Sequence, residues 1–186
     1  ILRRLHASIS GVAMIEFAFA APLVLGMGML GIDTASLVLA HMQVSQIAMQ
    51  TADNASRVGV SNELSIQQIN EADINESLVG AERVGEGIGI YTRGRVIISS
   101  LQRNEDDGQW IAWQRCRGAK NHPSSYGEED DGETGTTFAG MGAVGNEITA
   151  AEGTAVIFVE VAYDFESVSP LDLFDGDEIV YTAAFN

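Results

Sequence analysis

Residues 8–32 read SISGVAMIEFAFAAPLVLGMGMLGI, and the apolar run from Val12 to Ile32 carries a single charge, Glu16. A helix rising about 1.5 Å per residue crosses a hydrocarbon core of roughly 30 Å in a run of this length. A carboxylate set among apolar side chains at membrane depth costs a few kcal/mol, so Glu16 marks a functional position by default. The run exceeds the roughly 7–15 apolar residues of a removable secretory signal, and no small-residue cleavage site followed by a turn closes it. Gly26, Gly28, Gly31 and Pro22 lie inside it. Such residues are tolerated in membrane helices, where small side chains allow close packing and neighbours satisfy freed carbonyls.

Upstream of the run stand Arg3 and Arg4 with no acid before Glu16. Basic residues flanking a membrane segment stay on the cytoplasmic side, which places the N-terminus inside and the large remainder outside. Downstream, from Asp33 onward, the pattern changes without a break. Leu37, Ala40, Val44, Ala48, Ala55 and Val58 recur at three- and four-residue intervals, with Gln43, Gln46, Gln50, Asp53 and Arg57 on the opposite side. No Pro or Gly interrupts Thr34–Val58, so one rod from about Val12 to Val58 is expected, roughly 70 Å long at helical rise. Half of it lies in lipid and half packs on a domain.

The chain of 186 residues has a formal charge of −16, and with Glu16, Arg3 and Arg4 set aside the part from Asp33 onward holds 25 acids against eight Lys or Arg. So acidic a surface makes nucleic acid a poor partner, because each phosphate contact wants Lys or Arg. Cys116 is the only cysteine, which rules out an internal disulfide and leaves a strand-end residue near Trp113 or an intermolecular thiol.

Beyond Gly59 the chain is polar, with Ile66, Ile69, Ile74 and Leu78 at loosely helical spacing and Asn62 and Ser65 as capping candidates; a short helix is expected around Glu71–Val79. Ile88, Ile90 and Thr92 alternate ahead of the β-branched Val96–Ile98, which predicts a strand broken or bulged near Gly94. Arg103–Gly108 is turn chemistry, and Gln109–Arg115, carrying Trp110 and Trp113, predicts the partner strand of a hairpin. The stretch GEEDDGE, 127–133, lies within a Gly-rich acidic insert, 117–153, and predicts a solvated, mobile loop. Thr154–Glu166 is the clearest strand, and Glu178–Phe185 returns as the last after a turn at Asp172–Asp177. One sheet face and one amphipathic helix each have an apolar surface to bury, so the expected architecture is α+β. A long N-terminal helix, membrane-spanning then amphipathic, packs on a four-stranded, mainly antiparallel sheet. The segments are then a basic stretch at 1–11, a transmembrane half at 12–32, an amphipathic half at 33–60 and an extracytoplasmic domain at 61–186.

Catalytic patterns are not evident. His6, His41 and His122 are widely separated, no H-x-x-x-H or Cys/His spacing occurs, and no G-x-S-x-G elbow is present. The glycine-rich Gly85–Gly89 has neither a strand feeding it nor a phosphate-binding Lys after it. The expectation is a protein that is not an enzyme and needs no cofactor. Asp172, Asp175 and Asp177, like the acids of 128–133, offer oxygen atoms that calcium would accept, but neither cluster follows the twelve-residue EF-hand pattern.

Gly11 followed by Val12-Ala13-Met14-Ile15-Glu16-Phe17 resembles the processing site of type IV prepilins, in which a membrane peptidase cuts after the Gly and the Glu becomes the fifth residue of the mature chain. The wording IEFAFAAPLVL, the WQRC stretch and the ending VIFVEVAYDFESVSPL with EIVYTAAF are similar to the TadE-like pseudopilins of tight-adherence (Tad, Flp, type IVc) pilus systems. Met14 and Phe17 depart from the commonest pilin wording, and the stretch between Gly118 and Gly153 has no clear counterpart. The resemblance implies that the basic stretch 1–11 is a leader, and that the chain is a minor pilin processed between Gly11 and Val12 and needed for assembly of an adhesive pilus. It implies an assembly contact at Glu16 and Phe17, where the carboxylate of one subunit pairs with the methylated amine of Val12 on another. Its partners would be other pilins and pseudopilins, prepilin peptidase and the inner-membrane assembly machinery. Arg3 and Arg4 would keep the N-terminus cytoplasmic, with the C-terminal domain periplasmic or extracellular and the chain a single-pass inner-membrane protein or part of the pilus. The alternative is an uncleaved, bitopic, membrane-anchored binding or scaffold domain of the envelope.

Overall fold

In the computed structural model, which describes residues 10–57, 70–170 and 172–186, the apolar run and the amphipathic segment form one helix, α1, Ser10–Ser56. Its 47 residues span roughly 70 Å. The helix continues through Pro22. Its two halves differ in what covers them. Every residue from Gly11 to Ala20 is exposed, and side chains as large as Phe17, Phe19 and Met27 stand more than 70% open. From Asp33 a buried stripe begins, at Asp33, Ala40, Val44, Ile47, Ala48, Thr51, Ala52 and Ala55. Its steps of three, four and seven residues hold one helical face toward the sheet. The polar side expected from the sequence is the outer one, with Gln43, Gln46, Gln50 and Arg57 exposed and Arg57 closing an ion pair of 2.9 Å with Asp53 one turn back.

Helix α2, Glu71–Val84, begins where a short helix is expected and runs one turn further. Glu71 and Asp73 in its first turn complement the helix dipole. Ile74, Ser77, Leu78 and Ala81 turn inward, joining the helical stripe of α1 in one core. Val58 and the residues to Ile69, with Asn62 and Ser65, lie outside the described residues.

The expected strand at Ile88–Thr92 is corrected. Glu86–Ile88 form a 3₁₀ turn, Gly89 closes it at φ +63°, and Ile90–Arg93 make a single helical turn, α3. Ile90 is buried in the core, so its alternation with Ile88 reflects two turns pointing one side chain each inward rather than a strand. Strand β1 starts only at Gly94 and ends at Arg103. Strands β2, Gln109–Arg117, β3, Ala155–Asp164, and β4, Glu178–Phe185, complete an antiparallel sheet in the order β2-β1-β3-β4. The break expected near Gly94 is there, where the helical turn gives way to β1, and a bulge lies further on between Ser100 and Leu101, where Ser100 faces Trp113 and Leu101 faces Ile111, leaving Ala112 unpaired. An extra residue there turns Trp113 toward the helical core and Ile111 toward the other sheet face.

That second face is where the insert goes, contrary to the expectation of a mobile acidic loop. Tyr126, Phe138, Met141 and Ile148 pack on Leu101, Ile111, Val156 and Phe158. The backbone of the acidic stretch is stitched to β2: Ile111 N–H donates to Asp131 C=O and Asp130 N–H to Ile111 C=O, both at 2.9 Å. Asn104 in the hairpin turn donates to the carbonyls of Gly132 and Gly135. Gln109 exchanges two bonds with Ala150. Gly132 sits at φ +79°, and a Cβ there would come within 2.2 Å of the Gln109 carbonyl, so glycine permits this approach. The carboxylates themselves stay exposed, which is why composition alone suggested a free loop.

Candidate functional site

The helix decides what the site can be. Gly11 and Val12 lie within α1, and Val12 is 56% exposed. An added Cβ on Gly11 would meet nothing, so no packing requires glycine at this position. What glycine supplies is a weak point in the helix, about 1 kcal/mol less favourable than alanine. Glu16 lies one turn from Val12 on the same side, about 6 Å along the axis. It is exposed, as is Phe17, and has no hydrogen-bonding or ion-pair partner among the described residues. Its surroundings are the exposed apolar side chains Val12, Ile15, Phe19 and Leu23. Arg3 and Arg4 lie outside the described residues, as does His6.

Asp33, which was not among the expected site residues, marks where the bare half ends. It is fully buried and accepts bonds from the amides of Val168 at 3.0 Å and Ser169 at 2.8 Å and from the Ser169 hydroxyl. The loop after β3 is thereby clamped to the helix at the first position past the apolar run. The Ser169 hydroxyl bond, acting against desolvation, holds the Asp33 carboxyl below its ordinary range, with the amide bonds of Ser169 and Val168 adding to it. The one available sequence signal was an acid placed directly after twenty apolar positions on a helix that goes on.

A second cluster ties the insert to the sheet. Glu160 is 1% exposed and accepts from the Ser124 hydroxyl at 2.9 Å and the Ser125 amide, with His122 Nε2 at 3.0 Å. The other nitrogen of His122 lies 3.1 Å from Glu178. Lys120 is drawn down by desolvation, but bonds to Asp164 and Glu178 outweigh this and raise it above its ordinary value. Arg115 joins three elements, pairing with Glu71 of α2 at 2.6 Å and Glu129 of the insert at 2.8 Å. Its bond lowers Glu71 and raises Arg115. A lone acid inside the apolar strand VIFVEVAYD was the sequence signal for Glu160.

The remaining candidates do not converge. Asp172, Asp175 and Asp177 lie in one exposed turn, but Asp175 accepts the Ser167 amide, and among the described residues no group of three His, Cys, Asp or Glu is gathered to hold a metal. Cys116 is an exposed free thiol at the end of β2, with an Arg95 guanidinium nitrogen 2.8 Å from its sulfur. His41 meets Tyr181 edge-on at 5.9 Å, and His122 is elsewhere, so the two described histidines serve different contacts.

A bare apolar helical half bearing one carboxylate is continuous with a half that seats a small antiparallel sheet, an α+β arrangement with one candidate membrane span. A family model described as TadE-like protein matches residues 11–60 and supports a TadE-like, pilin-related protein. The match opens at Gly11 and covers the helix rather than the sheet. Comparison with curated proteins and with solved structures gave no match.

Proposed function

We propose that this chain is a minor pilin or pseudopilin needed for assembly of a Tad-type adhesive pilus, cut after Gly11 by prepilin peptidase and held among other pilins through α1. The observation that carries the reading is the contrast within one helix: α1 is bare and apolar to Ile32 and clamped to its domain from Asp33. A domain that leaves so much helix uncovered has put that half aside for lipid or for other helices. Cleavage fits the local physics. The peptidase must unwind the helix around the Gly11–Val12 bond, and glycine is the residue that unwinds at least cost. Release of the leader then leaves a cationic Val12 amine, and Glu16 of a neighbouring subunit can pair with it in an apolar surround, where an unpaired carboxylate is expensive. The role is structural rather than enzymatic, played at the inner membrane with the acidic domain facing outward.

Incubating the full chain in detergent micelles with a Tad-system prepilin peptidase tests this. The product should begin at Val12, and Gly11→Ala should leave the chain uncut. A wild-type chain that is never trimmed removes the mechanism and leaves an uncleaved, membrane-anchored scaffold in its place.

A further inference from the structure

The two edges of the sheet are treated differently. At β2 the insert exchanges backbone bonds with Ile111, and Glu129 accepts the Gln114 amide, so that edge is covered. At the other side β4 pairs with β3 from Glu178 to Phe185, and among the described residues no backbone group pairs with its outer edge. An open edge is a template for another strand, and proteins ordinarily blunt one with Lys, Pro, a bulge or an inward charge. β4 has none of these: EIVYTAAF is uncharged after Glu178, lacks Pro, and keeps an unbroken register with β3.

Beside this strand runs a groove of about 400 Å³ lined by Val38, Met42 and Met49 of α1 and Tyr181 of β4, with His41, Ser45 and Gln46 between them. Val38, Met42 and Met49 are about half exposed, at 53%, 54% and 47%. They recur at helical spacing on a flank of α1 past the Asp33 clamp, in the half that carries the domain rather than the half left bare. Lipid therefore does not account for them. Unpaired backbone next to an apolar trough is what an added strand needs: the backbone supplies hydrogen bonds, and the trough takes every second side chain.

We propose that the β4 edge and the Val38–Met42–Met49 trough bind an extended segment of a partner protein as a fifth, antiparallel strand. Its chemistry follows from the surface. Aliphatic side chains at alternate positions fill the trough. Running antiparallel to β4, the segment ends beside the start of that strand, where Asp172, Asp175 and Asp177 are exposed while Glu178 is already engaged by Lys120 and His122, so its C-terminal flank is basic. A second copy of this chain does not fit. Antiparallel pairing of β4 with its own copy places a two-fold axis perpendicular to the sheet, and α1, which lies along the sheet face, would be reversed in the copy. The two apolar halves would then point in opposite directions and could not enter one membrane from the same side. The choice of a distinct partner rests on the membrane-anchored reading given above; the open edge does not.

The test uses the full chain in detergent micelles and a fluorescent nine-residue peptide that alternates valine and threonine and ends in two lysines. Anisotropy should show saturable binding, and hydrogen exchange at the outward amides of 178–185 should slow by about tenfold or more at saturation. Val180→Lys, a guard placed on the edge, and Met42→Glu, a charge placed in the trough, should each weaken binding by about tenfold while the circular dichroism of the domain is unchanged. A peptide of the same composition with a central proline should not bind. Undiminished binding by both variants, binding of the proline peptide, or unslowed β4 exchange overturns the proposal. So does sedimentation of the peptide-free chain as a dimer with β4 amides already protected, which would make a second copy the occupant. None of these readouts requires cleavage at Gly11, so failure here and failure of the pilin reading are separable.

Discussion

Two carboxylates divide the work of α1, and their surroundings set what each can do. Glu16 is exposed among apolar side chains, whereas Asp33 is buried and fully engaged with Val168 and Ser169. If Glu16 pairs with the Val12 amine of another subunit, breaking that pair in an apolar surround costs about 3–5 kcal/mol. Glu16→Gln should therefore insert in the membrane normally yet fall by more than about tenfold in sheared pili relative to the membrane fraction; normal piliation would count against the pairing. Asp33 makes a pH prediction. Its carboxyl is held low, foremost by the Ser169 hydroxyl, so the folded chain gives up this proton more readily than the unfolded chain does. The resulting stabilisation is fully present above the ordinary Asp value of about 3.9 and is lost as the pH falls through the lower folded value. Asp33→Asn should be the less stable protein at neutral pH and should show a shallower decline in melting temperature below about pH 4. Superimposable acid limbs for the two proteins would show that the clamp does not depend on the charge.

At the scale of elements, the same helix should respond to mutation in two different ways. Ile47 is completely buried between α1, α2 and the sheet, so Ile47→Ala should cost the domain about 2–5 kcal/mol in chemical unfolding. Leu23 is 66% exposed, and Leu23→Ala should leave the domain's unfolding midpoint where it was. Equal losses from the two would mean that the bare half packs on the domain after all. The inner stripe of α1 was legible because periodicity reports burial directly: Ala40, Val44, Ala48 and Ala55 are all in the core and Leu37 packs against it. β3 and β4 were legible for a related reason, since β-branched and aromatic runs bounded by turns suit few other structures. The 85–93 stretch was misread because two inward isoleucines two residues apart satisfy a strand and a pair of tight turns equally, and only the left-handed Gly89 decides between them. The insert was misread because its charges are exposed while its backbone and its sparse apolar residues, Tyr126, Phe138, Met141 and Ile148, cover a sheet face. Periodicity cannot report anchors that far apart. The proposed processing and assembly residues rest on a local spacing, Gly11 to Glu16, whereas the Asp33 clamp and the open β4 edge depend on long-range pairing that no local window contains.

For the whole molecule, the position of the Asp33 clamp fixes how far the domain stands from the bilayer. Because α1 has no break between its halves and the loop at Val168 and Ser169 is bonded to its first covered residue, the domain cannot lift away without losing buried bonds. Burying the apolar run in lipid to Ile32 would then bring the domain to rest on the membrane surface. Cysteine labelling tests this arrangement in intact envelopes. In a Cys116→Ser background, which removes the one exposed thiol, Leu25→Cys should resist a membrane-impermeant maleimide until the membrane is dissolved in detergent. Gln43→Cys, on the exposed outer side of α1, should react from the outside once the reagent reaches the periplasmic space. Ready labelling at Leu25 would mean that the bare half is sheathed by neither lipid nor other helices. Labelling of Gln43 only from the cytoplasmic side would reverse the orientation that Arg3 and Arg4 imply. With protection at the first site and outside reactivity at the second, the membrane boundary lies between Leu25 and Gln43, the interval that contains Asp33.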